Sequence, residues 1–495
     1  MPGNFAPPTA QELLRFAPES LLILAATIFM VLEPLSKEDG KRKFAVLSFL
    51  TLAAAIVLAV VAGMDPGPAF SNLLVVDSFS TFFTILVLAI GLFTVLLSSN
   101  YLQLEGHESG EYYSLLLFSI VGQCLMAASN DLIMLFIGLE CSSIASYVLA
   151  GYLRDDRRNN ESALKYFLLG SFATAFFLYG IAVVYGATGS TYLAKIADAE
   201  PTGNLLRLGL TLILIGLGFK IAAAPFQIWT PDVYEGAPTP VTALFSAGPK
   251  AATFALLLRI FGTSQAATDF WFWAFWILAA LTMFAGNLGA LVQGNVKRML
   301  AYSSIAHAGY TLVAFAAVTT MKATPLGPGQ AYGAVAFYLA SYALVSVGAF
   351  TILSELGGKG ERYLTQDDYA GLGTRQPFAA AMLSLFLLSF LGLPITAGFF
   401  GKLYIFTAAI NSKLIWLAIL MAINSVIGAY YYLRLIVVMY MYEYKGTVPA
   451  EAAVGLSPTA AMVVTVAGLI TVYLGIMPNH VLGLLVTQNP MVTSR

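Results

Sequence analysis

The feature that most constrains this chain is a series of long apolar runs along almost its whole length. A helix needs about 20 apolar residues to cross a bilayer, and roughly fourteen segments approach or exceed that length. With 59% hydrophobic and only 10% charged residues, the chain has more apolar surface than a soluble protein could bury. We therefore predict an all-α integral membrane protein with about 14 transmembrane helices. The predicted spans are 17–35, 43–64, 78–99, 111–129, 131–153, 162–187, 204–225, 239–262, 270–292, 298–318, 331–356, 378–411, 414–442 and 458–478.

The same composition excludes several classes of protein. The chain has 25 Lys and Arg against 26 Asp and Glu, so it lacks the basic surplus of a nucleic-acid binder. Cys124 and Cys141 are its only cysteines, too few for an iron–sulfur cluster or a disulfide framework. The sequence contains neither a G-x-G-x-x-G nor a P-loop motif. We expect no cofactor in this chain, so any coupled redox chemistry must belong to partner subunits.

The positions of the cations predict an orientation. The first 16 residues carry Glu12 and one basic residue, Arg15, before the first apolar run, so we expect a retained span rather than a signal peptide. With fourteen spans, 13 Lys and Arg residues, including Lys297 and Arg298, fall in the loops on one side and 6 on the other. The positive-inside rule then places both termini outside.

Charged residues inside the apolar runs are the strongest functional signal. A charge at mid-bilayer costs between about 3 and more than 10 kcal/mol. Lys220 lies 13 residues after Arg207 and 12 before Asp232. At about 1.5 Å per residue, neither membrane surface is within reach of a lysine stem. By the same reasoning, the deep groups predicted to be functional, with a structural ion pair as the alternative, are Glu140, Lys220, Lys250 and Lys402.

Three further cations in apolar runs give weaker signals. Lys165 can pair with Glu161 one helical turn earlier, so snorkelling and function stay open for it. Arg259 lies near the end of its span and is expected to be an interfacial anchor. Arg434 follows three tyrosines and is expected to be structural.

His307 lies in the polar stretch AYSSIAHAGY, inside a predicted span. Its neighbours Ser303, Ser304 and Tyr310 could hold water beside it, so a relay role and a hydrogen-bonded core role both stay open. Burial disfavours the charged form of a lysine and a nearby carboxylate favours it. A moving carboxylate such as that of Glu140 could therefore switch a buried amine between proton donor and acceptor.

Two predicted spans are interrupted beside a buried lysine. In the seventh span Lys220 precedes Pro225, and in the twelfth Pro394 precedes Lys402. Non-helical backbone at membrane depth is tolerated only inside protein or beside a wet cavity, and paired broken helices are typical of transporters. The breaks lie five spans apart, an odd number, which predicts two inverted five-helix repeats. The predicted units are 1–110 (three helices), 111–262 (first repeat), 270–442 (second repeat) and 443–495 (last helix and tail).

Three stretches carry a family resemblance: PFQIWTPDVYEGAPTPVTALFSAGPK at 225–250, NVKRMLAYSSIAHAGY at 295–310 and GLPITAGFFGK at 392–402. They resemble the antiporter-like membrane subunits of the proton-translocating NADH:quinone oxidoreductase, respiratory complex I, and among these the N type. Ile395 departs from the family pattern, which has a second proline there, and predicts a milder break.

The resemblance implies a proton-translocating subunit of a bacterial inner-membrane complex. It implies an ion pair of Glu140 with Lys220, a central relay at Lys250 with His307 and Lys165 as assisting candidates, and an exit-side proton group at Lys402. Flavin, clusters and the quinone pocket would belong to a peripheral redox arm and other membrane subunits. The alternatives are a subunit of a cation/proton antiporter or membrane-bound hydrogenase, and a non-conducting spacer.

Overall fold

A computed structural model describes residues 7–36, 41–198, 204–263, 268–320, 329–444 and 455–480. In these ranges the chain is a helical bundle with one short antiparallel hairpin, β1 (Gly67–Ala69) and β2 (Leu74–Val76). The helices are α1 (Ala10–Arg15), α2 (Ala17–Leu32), α3 (Arg42–Met64), α4 (Ser78–Glu105), α5 (Gly110–Ala128), α6 (Leu132–Ala150), α7 (Arg157–Thr188), α8 (Leu193–Asp198), α9 (Asn204–Lys220), α10 (Trp229–Gly236), α11 (Thr239–Thr263), α12 (Thr268–Leu291), α13 (Val296–Thr320), α14 (Gly329–Gly357), α15 (Leu372–Arg375), α16 (Pro377–Leu391), α17 (Ala397–Asn411), α18 (Ile415–Met441) and α19 (Pro458–Ile476).

Among the described residues, 12 helices are long and apolar enough to cross a membrane. The two predicted spans not among them are the interrupted ones. In span 204–225, α9 ends at Lys220 and α10 follows beyond the break, and span 378–411 is divided into α16 and α17. The predicted all-α membrane fold is therefore confirmed. The fourth and fifth spans are separate helices, α5 and α6, although only three residues lie between them. The Asp131 side chain accepts hydrogen bonds from the Ile133 and Met134 N–H groups and so caps α6.

The first break follows Lys220, the last residue of α9. Ala222 has φ +60°, in the left-handed region that interrupts a helix, and Ala223 N–H turns back to the Gly218 carbonyl. The Ala224 N–H that the break frees donates to Thr282 Oγ1 of α12 at 2.9 Å. Protein contacts thus satisfy this non-helical backbone, as it must be away from water.

The second break separates α16 from α17 by five non-helical residues, 392–396. Gly392 has φ +92° and Ile395 has φ +78°. Ile395 thus takes up a left-handed conformation and extends neither helix. The milder break expected from Ile395, relative to family members with a second proline, stays a prediction.

Burial places three helices at the centre of the bundle. Of the residues in the most apolar stretch of each helix, 94% are buried in α11, 94% in α13 and 89% in α14, against 33% in α7. These three central helices carry Lys250, His307 and Tyr338. The boundaries predicted for the two repeats stay a prediction.

Candidate functional site

Lys220 ends α9 with its amine among aromatic rings. The side chain is 6% exposed, and Nζ lies 5.1 Å from the centre of the Tyr147 ring and 5.2 Å from that of Tyr166. Nζ also lies 3.5 Å from the Tyr147 hydroxyl, at the limit of a hydrogen bond. A cation is favoured both over aromatic faces and at the C-terminal end of a helix, so the break gives this amine a defined place.

Glu140 does not pair directly with Lys220. Both residues are described, and no ion pair within 4.0 Å joins them; Glu140 Oε1 instead accepts a hydrogen bond of 2.9 Å from the Thr174 hydroxyl of α7. Tyr147 lies two turns after Glu140 on α6, and its hydroxyl contacts the Lys220 amine. Thr174 therefore contacts the carboxylate and Tyr147 contacts the amine, which makes these two hydroxyl groups the candidates for a link between Glu140 and Lys220.

Lys250 lies in the middle of α11 and is 2% exposed. Its amine donates to both the carbonyl oxygen and the hydroxyl of Ser304 on α13, at 3.1 and 2.5 Å. Among the described residues no carboxylate forms a salt bridge with it. A hydroxyl can both accept and donate a proton, so Ser304 connects this amine to α13.

His307 follows Ser304 by one turn of α13 and is buried. Its Nδ1 lies 2.6 Å from the Tyr338 hydroxyl of α14, and its Nε2 lies 3.1 Å from the Tyr432 hydroxyl of α18. The Tyr432 hydroxyl also hydrogen-bonds to Ser303. The imidazole is close enough to the amines of Lys250 and Lys402 for both to act on it electrostatically.

Lys402 lies on α17 and reaches back to the end of α16. Its amine donates to the carbonyl oxygen of Leu391 at 3.0 Å and lies 4.8 Å from the centre of the Tyr310 ring. The lysine stem crosses Gly392, where an added Cβ would lie 3.2 Å from the lysine Cδ. The second break thus provides both the carbonyl acceptor and the space for this side chain.

Lys165 belongs to a different group of charges. Its 39% exposed side chain pairs with Glu161 and with Asp232, both at 2.6 Å, so the pairing with Glu161 expected from sequence is present. Arg298 bridges Asp232 and Glu235 at 2.7 Å each and completes the network. The structure brings Lys165 beside α10 and not among the buried hydroxyl groups around His307.

The two arginines in apolar runs have different surroundings. Arg259 is buried near the end of α11, where its guanidinium contacts both carboxylate oxygens of Asp77 at 3.0 and 3.1 Å and the carbonyl of Ala127 at 2.9 Å. It is therefore anchored to protein, whereas an anchor at the lipid interface was expected. Arg434 is exposed on α18.

Lys297 was expected among the loop cations, but it lies inside the protein. Lys297 is 0% exposed and pairs with Glu361 at 2.7 Å. The other oxygen of Glu361 accepts hydrogen bonds from the hydroxyls of Tyr101 and Thr239 at 2.8 and 2.6 Å. Two adjacent cations at the start of a helix are typical of an end that faces solvent. The carboxylate that pairs with Lys297 lies 64 residues away in sequence. No local signal could have identified this buried pair.

In the described ranges, no three His, Cys, Asp or Glu side chains come together as a possible metal site. The expectation that this chain carries no cofactor stays a prediction.

Comparisons with known proteins match the chain to one family. Residues 129–428 match the family model described as NADH:quinone oxidoreductase/Mrp antiporter, TM. The chain is 53% identical over 479 residues to NADH-quinone oxidoreductase subunit N 1 of Solibacter usitatus, an alignment that covers 95% of this chain and 96% of the relative.

Solved structures agree with the sequence comparison. A chain of respiratory complex I from Thermus thermophilus is 35% identical, with a TM-score of 0.80 and coverage of 95% of this chain and 100% of that chain. A chain of the membrane-bound sulfane sulfur reductase, an archaeal respiratory membrane complex, is 25% identical, with a TM-score of 0.85 and 98% coverage of both chains.

Proposed function

Because the chain belongs to the NADH:quinone oxidoreductase/Mrp antiporter transmembrane family, we propose that it is the N-type proton-translocating membrane subunit of an NADH:quinone oxidoreductase. The observation that carries this proposal is the series of proton-exchanging groups inside the bundle, from Glu140 on α6 to Lys402 on α17. Partner subunits oxidise NADH and reduce quinone, and this chain contributes the proton path.

The first section of the path joins Glu140 to Lys220 through Thr174 and Tyr147. Because a hydroxyl passes a proton by accepting on one side and donating on the other, these two groups can carry a proton between the acid and the amine. A carboxylate stabilises a nearby ammonium more strongly the closer it lies. A movement that changes the separation of Glu140 and Lys220 therefore changes whether Lys220 holds its proton.

The second section continues through Lys250 to the other half of the bundle. Ser304 contacts the Lys250 amine, and His307 lies one turn further along α13. A neutral imidazole accepts a proton on one nitrogen and donates from the other, and both His307 nitrogens face tyrosine hydroxyls. Lys402, at the second break, is the group that receives the proton before it leaves. Lys165, in its ion-pair network, is an assisting group outside this central path.

We place the chain in a bacterial inner membrane with both termini on the outer side. The support is the asymmetry of loop cations, which persists when the buried Lys297 is removed from the larger group. The units 111–262 and 270–442 are the two inverted repeats, each with one broken helix beside one path lysine, Lys220 and Lys402.

The proposal is tested by purifying the complex through a tag on this chain. We expect peripheral subunits that oxidise NADH to co-purify, together with quinone-reductase activity that acidifies the interior of inside-out vesicles. A complex without NADH-oxidising chains would overturn the proposal.

The main alternative is a subunit of a multi-subunit cation/proton antiporter, which the family description supports. An antiporter subunit would exchange sodium for protons without NADH. Transport by the purified complex that requires sodium and proceeds without NADH would favour that alternative.

A further inference from the structure

A buried carboxyl group lies outside the path described above, in the first helix of the bundle. Glu19 is the third residue of α2 and is only 5% exposed. It lies two residues inside the first predicted span, where an acid has the pattern of an interfacial residue. In the structure it instead lines a cavity among α2, α3, α4 and α5, beneath the β1–β2 hairpin.

The Glu19 side chain lines a small cavity with unused hydrogen-bonding capacity. One interaction of the carboxyl is with its own backbone N–H, whereas Oε2 has no hydrogen-bond partner among the described residues. The Thr81 hydroxyl, which lines the same cavity from α4, is equally without a partner in the described part of the chain. Leaving a buried carboxyl or hydroxyl group without a hydrogen-bond partner is unfavourable, so both atoms are candidates to bind a ligand.

The size and lining of the cavity define what that ligand is. Its volume is about 20 Å³, and a water molecule needs roughly 10–15 Å³ on this scale. The other walls are mostly apolar and include Ala59, Ala62 and Leu74. A hydrated metal ion would require more space and more oxygen ligands than Glu19 and Thr81 supply. Water, and with it a proton, is the ligand that fits.

The charges around the cavity leave Glu19 without a counter-ion. Arg15 lines the cavity from α1, but its guanidinium is engaged by the Asp65 carboxylate at 3.3 Å. Asp77, at the start of α4, is already paired with an arginine of α11. From α5, the Cys124 thiol interacts electrostatically with Glu19. A carboxyl that has no cation beside it and little access to solvent is stable when it carries a proton.

We propose that Glu19, with one water molecule held between its Oε2 and the Thr81 hydroxyl, forms a second proton-exchange site of this chain. In the orientation proposed above, the site lies at the outer face, beside the hairpin. It lies apart from the groups of α11, α13 and α17, and it binds and releases a proton whether or not the central path conducts.

The test is infrared difference spectroscopy of the intact purified complex, comparing the wild type with Glu19→Gln. A protonated carboxyl gives a C=O stretching band, which an ionised carboxylate lacks. We expect the wild type to show such a band, the Glu19→Gln complex to lose it, and transfer into D2O to shift it to lower frequency. Absence of the band, or a band that D2O does not move, would overturn the proposal.

Two further variants separate the site from a merely buried acid. Thr81→Val keeps the shape of the side chain but removes its hydroxyl, so the Glu19 band should move to higher frequency as hydrogen bonding weakens. An unchanged band would contradict the bound water. Glu33→Gln is the matched control, because Glu33 is similarly buried but pairs with Lys41 at 3.3 Å and accepts from Ser109 at 2.9 Å. Loss of the same band in Glu33→Gln would refute the assignment to Glu19.

Discussion

At the scale of single residues, the proposed proton path depends on hydroxyl groups placed between ionisable ones. Thr174 and Tyr147 separate Glu140 from Lys220, and Ser304 contacts Lys250. This arrangement avoids a direct buried ion pair, which would hold the Lys220 amine in its charged form. A hydroxyl link instead lets a proton move while both ends stay in the low-dielectric interior.

Tyr147→Phe tests the link between Glu140 and Lys220. The ring that packs on Lys220 and Tyr166 is kept, and only the hydroxyl is lost. A positioned proton-transfer group contributes ~100-fold or more to a rate, and a water that replaces it recovers part, so we expect pumping to fall about tenfold. Proton uptake by proteoliposomes during NADH oxidation measures this rate.

The matched control is Tyr179→Phe, since Tyr179 lies exposed on α7. It should pump at the wild-type rate. Wild-type pumping by an assembled Tyr147→Phe complex would remove the hydroxyl from the path.

The sequence alone predicts the deep groups but not the hydroxyls between them. Lys220 and Lys250 are identifiable because a long apolar run surrounds each, and a charge there has a high cost. Tyr147 and Thr174 are different, since tyrosine and threonine are ordinary in membrane helices. Their role depends on which face of α6 meets α7, a tertiary contact that periodicity does not specify.

At the scale of secondary-structure elements, the two breaks hold the lysines at defined places. Pro and Gly beside a deep lysine were sufficient to predict both interruptions from sequence. The left-handed conformation of Ile395 could not be predicted, because a β-branched residue strongly disfavours positive φ. Gly475 on α19 lies close to the Ile395 carbonyl, where an added Cβ would clash with the oxygen.

Gly392→Ala tests the second break. The position has φ +92°, which costs an alanine about 1–2 kcal/mol, and the added Cβ would press on the stem of Lys402. We expect a lower melting temperature of the complex together with a several-fold loss of pumping. The readouts are thermal denaturation and proteoliposome proton uptake.

Gly186→Ala provides the comparison, because Gly186 is helical and nothing lies within 4 Å of the added Cβ. This variant should be as stable as the wild type or more so. If both glycine variants behave alike, the conformation at Gly392 has no special importance.

A second prediction concerns the buried Lys297–Glu361 pair, which ties the start of α13 to the segment after α14. Removing one charge leaves the other buried and unpaired, at a cost of about 3–5 kcal/mol. We expect Lys297→Met and Glu361→Gln each to reduce the thermal stability of the complex strongly. The double variant should be less destabilised than the sum of the two.

The control for this cycle is the exposed pair of Arg158 with Asp156 at 2.8 Å. Removing its charge should change stability by less than about 1 kcal/mol. Additive effects of Lys297→Met and Glu361→Gln would show that the two buried charges do not depend on each other.

At the scale of the whole molecule, the bundle encloses its polar groups in three central helices and presents apolar helices around them. The 14-span architecture could be predicted from apolar run lengths, because each crossing must satisfy its backbone internally. The course of the path across α11, α13, α14 and α18 could not, since it depends on packing between helices far apart in sequence. Lys297 was also misplaced by the loop count, because it lies in the first turn of α13 and pairs with Glu361 from the segment after α14.

Lys250 is the residue at which the two halves of the proposed proton path meet. The direct measurement is the ratio of protons pumped to NADH oxidised by assembled complex in proteoliposomes, for Lys250→Ala and for the exposed control Lys195→Ala. We expect Lys195→Ala to keep the wild-type ratio of protons pumped to NADH oxidised, and Lys250→Ala to lower this ratio severalfold. A wild-type ratio in Lys250→Ala would contradict the claim that protons pass along these buried groups.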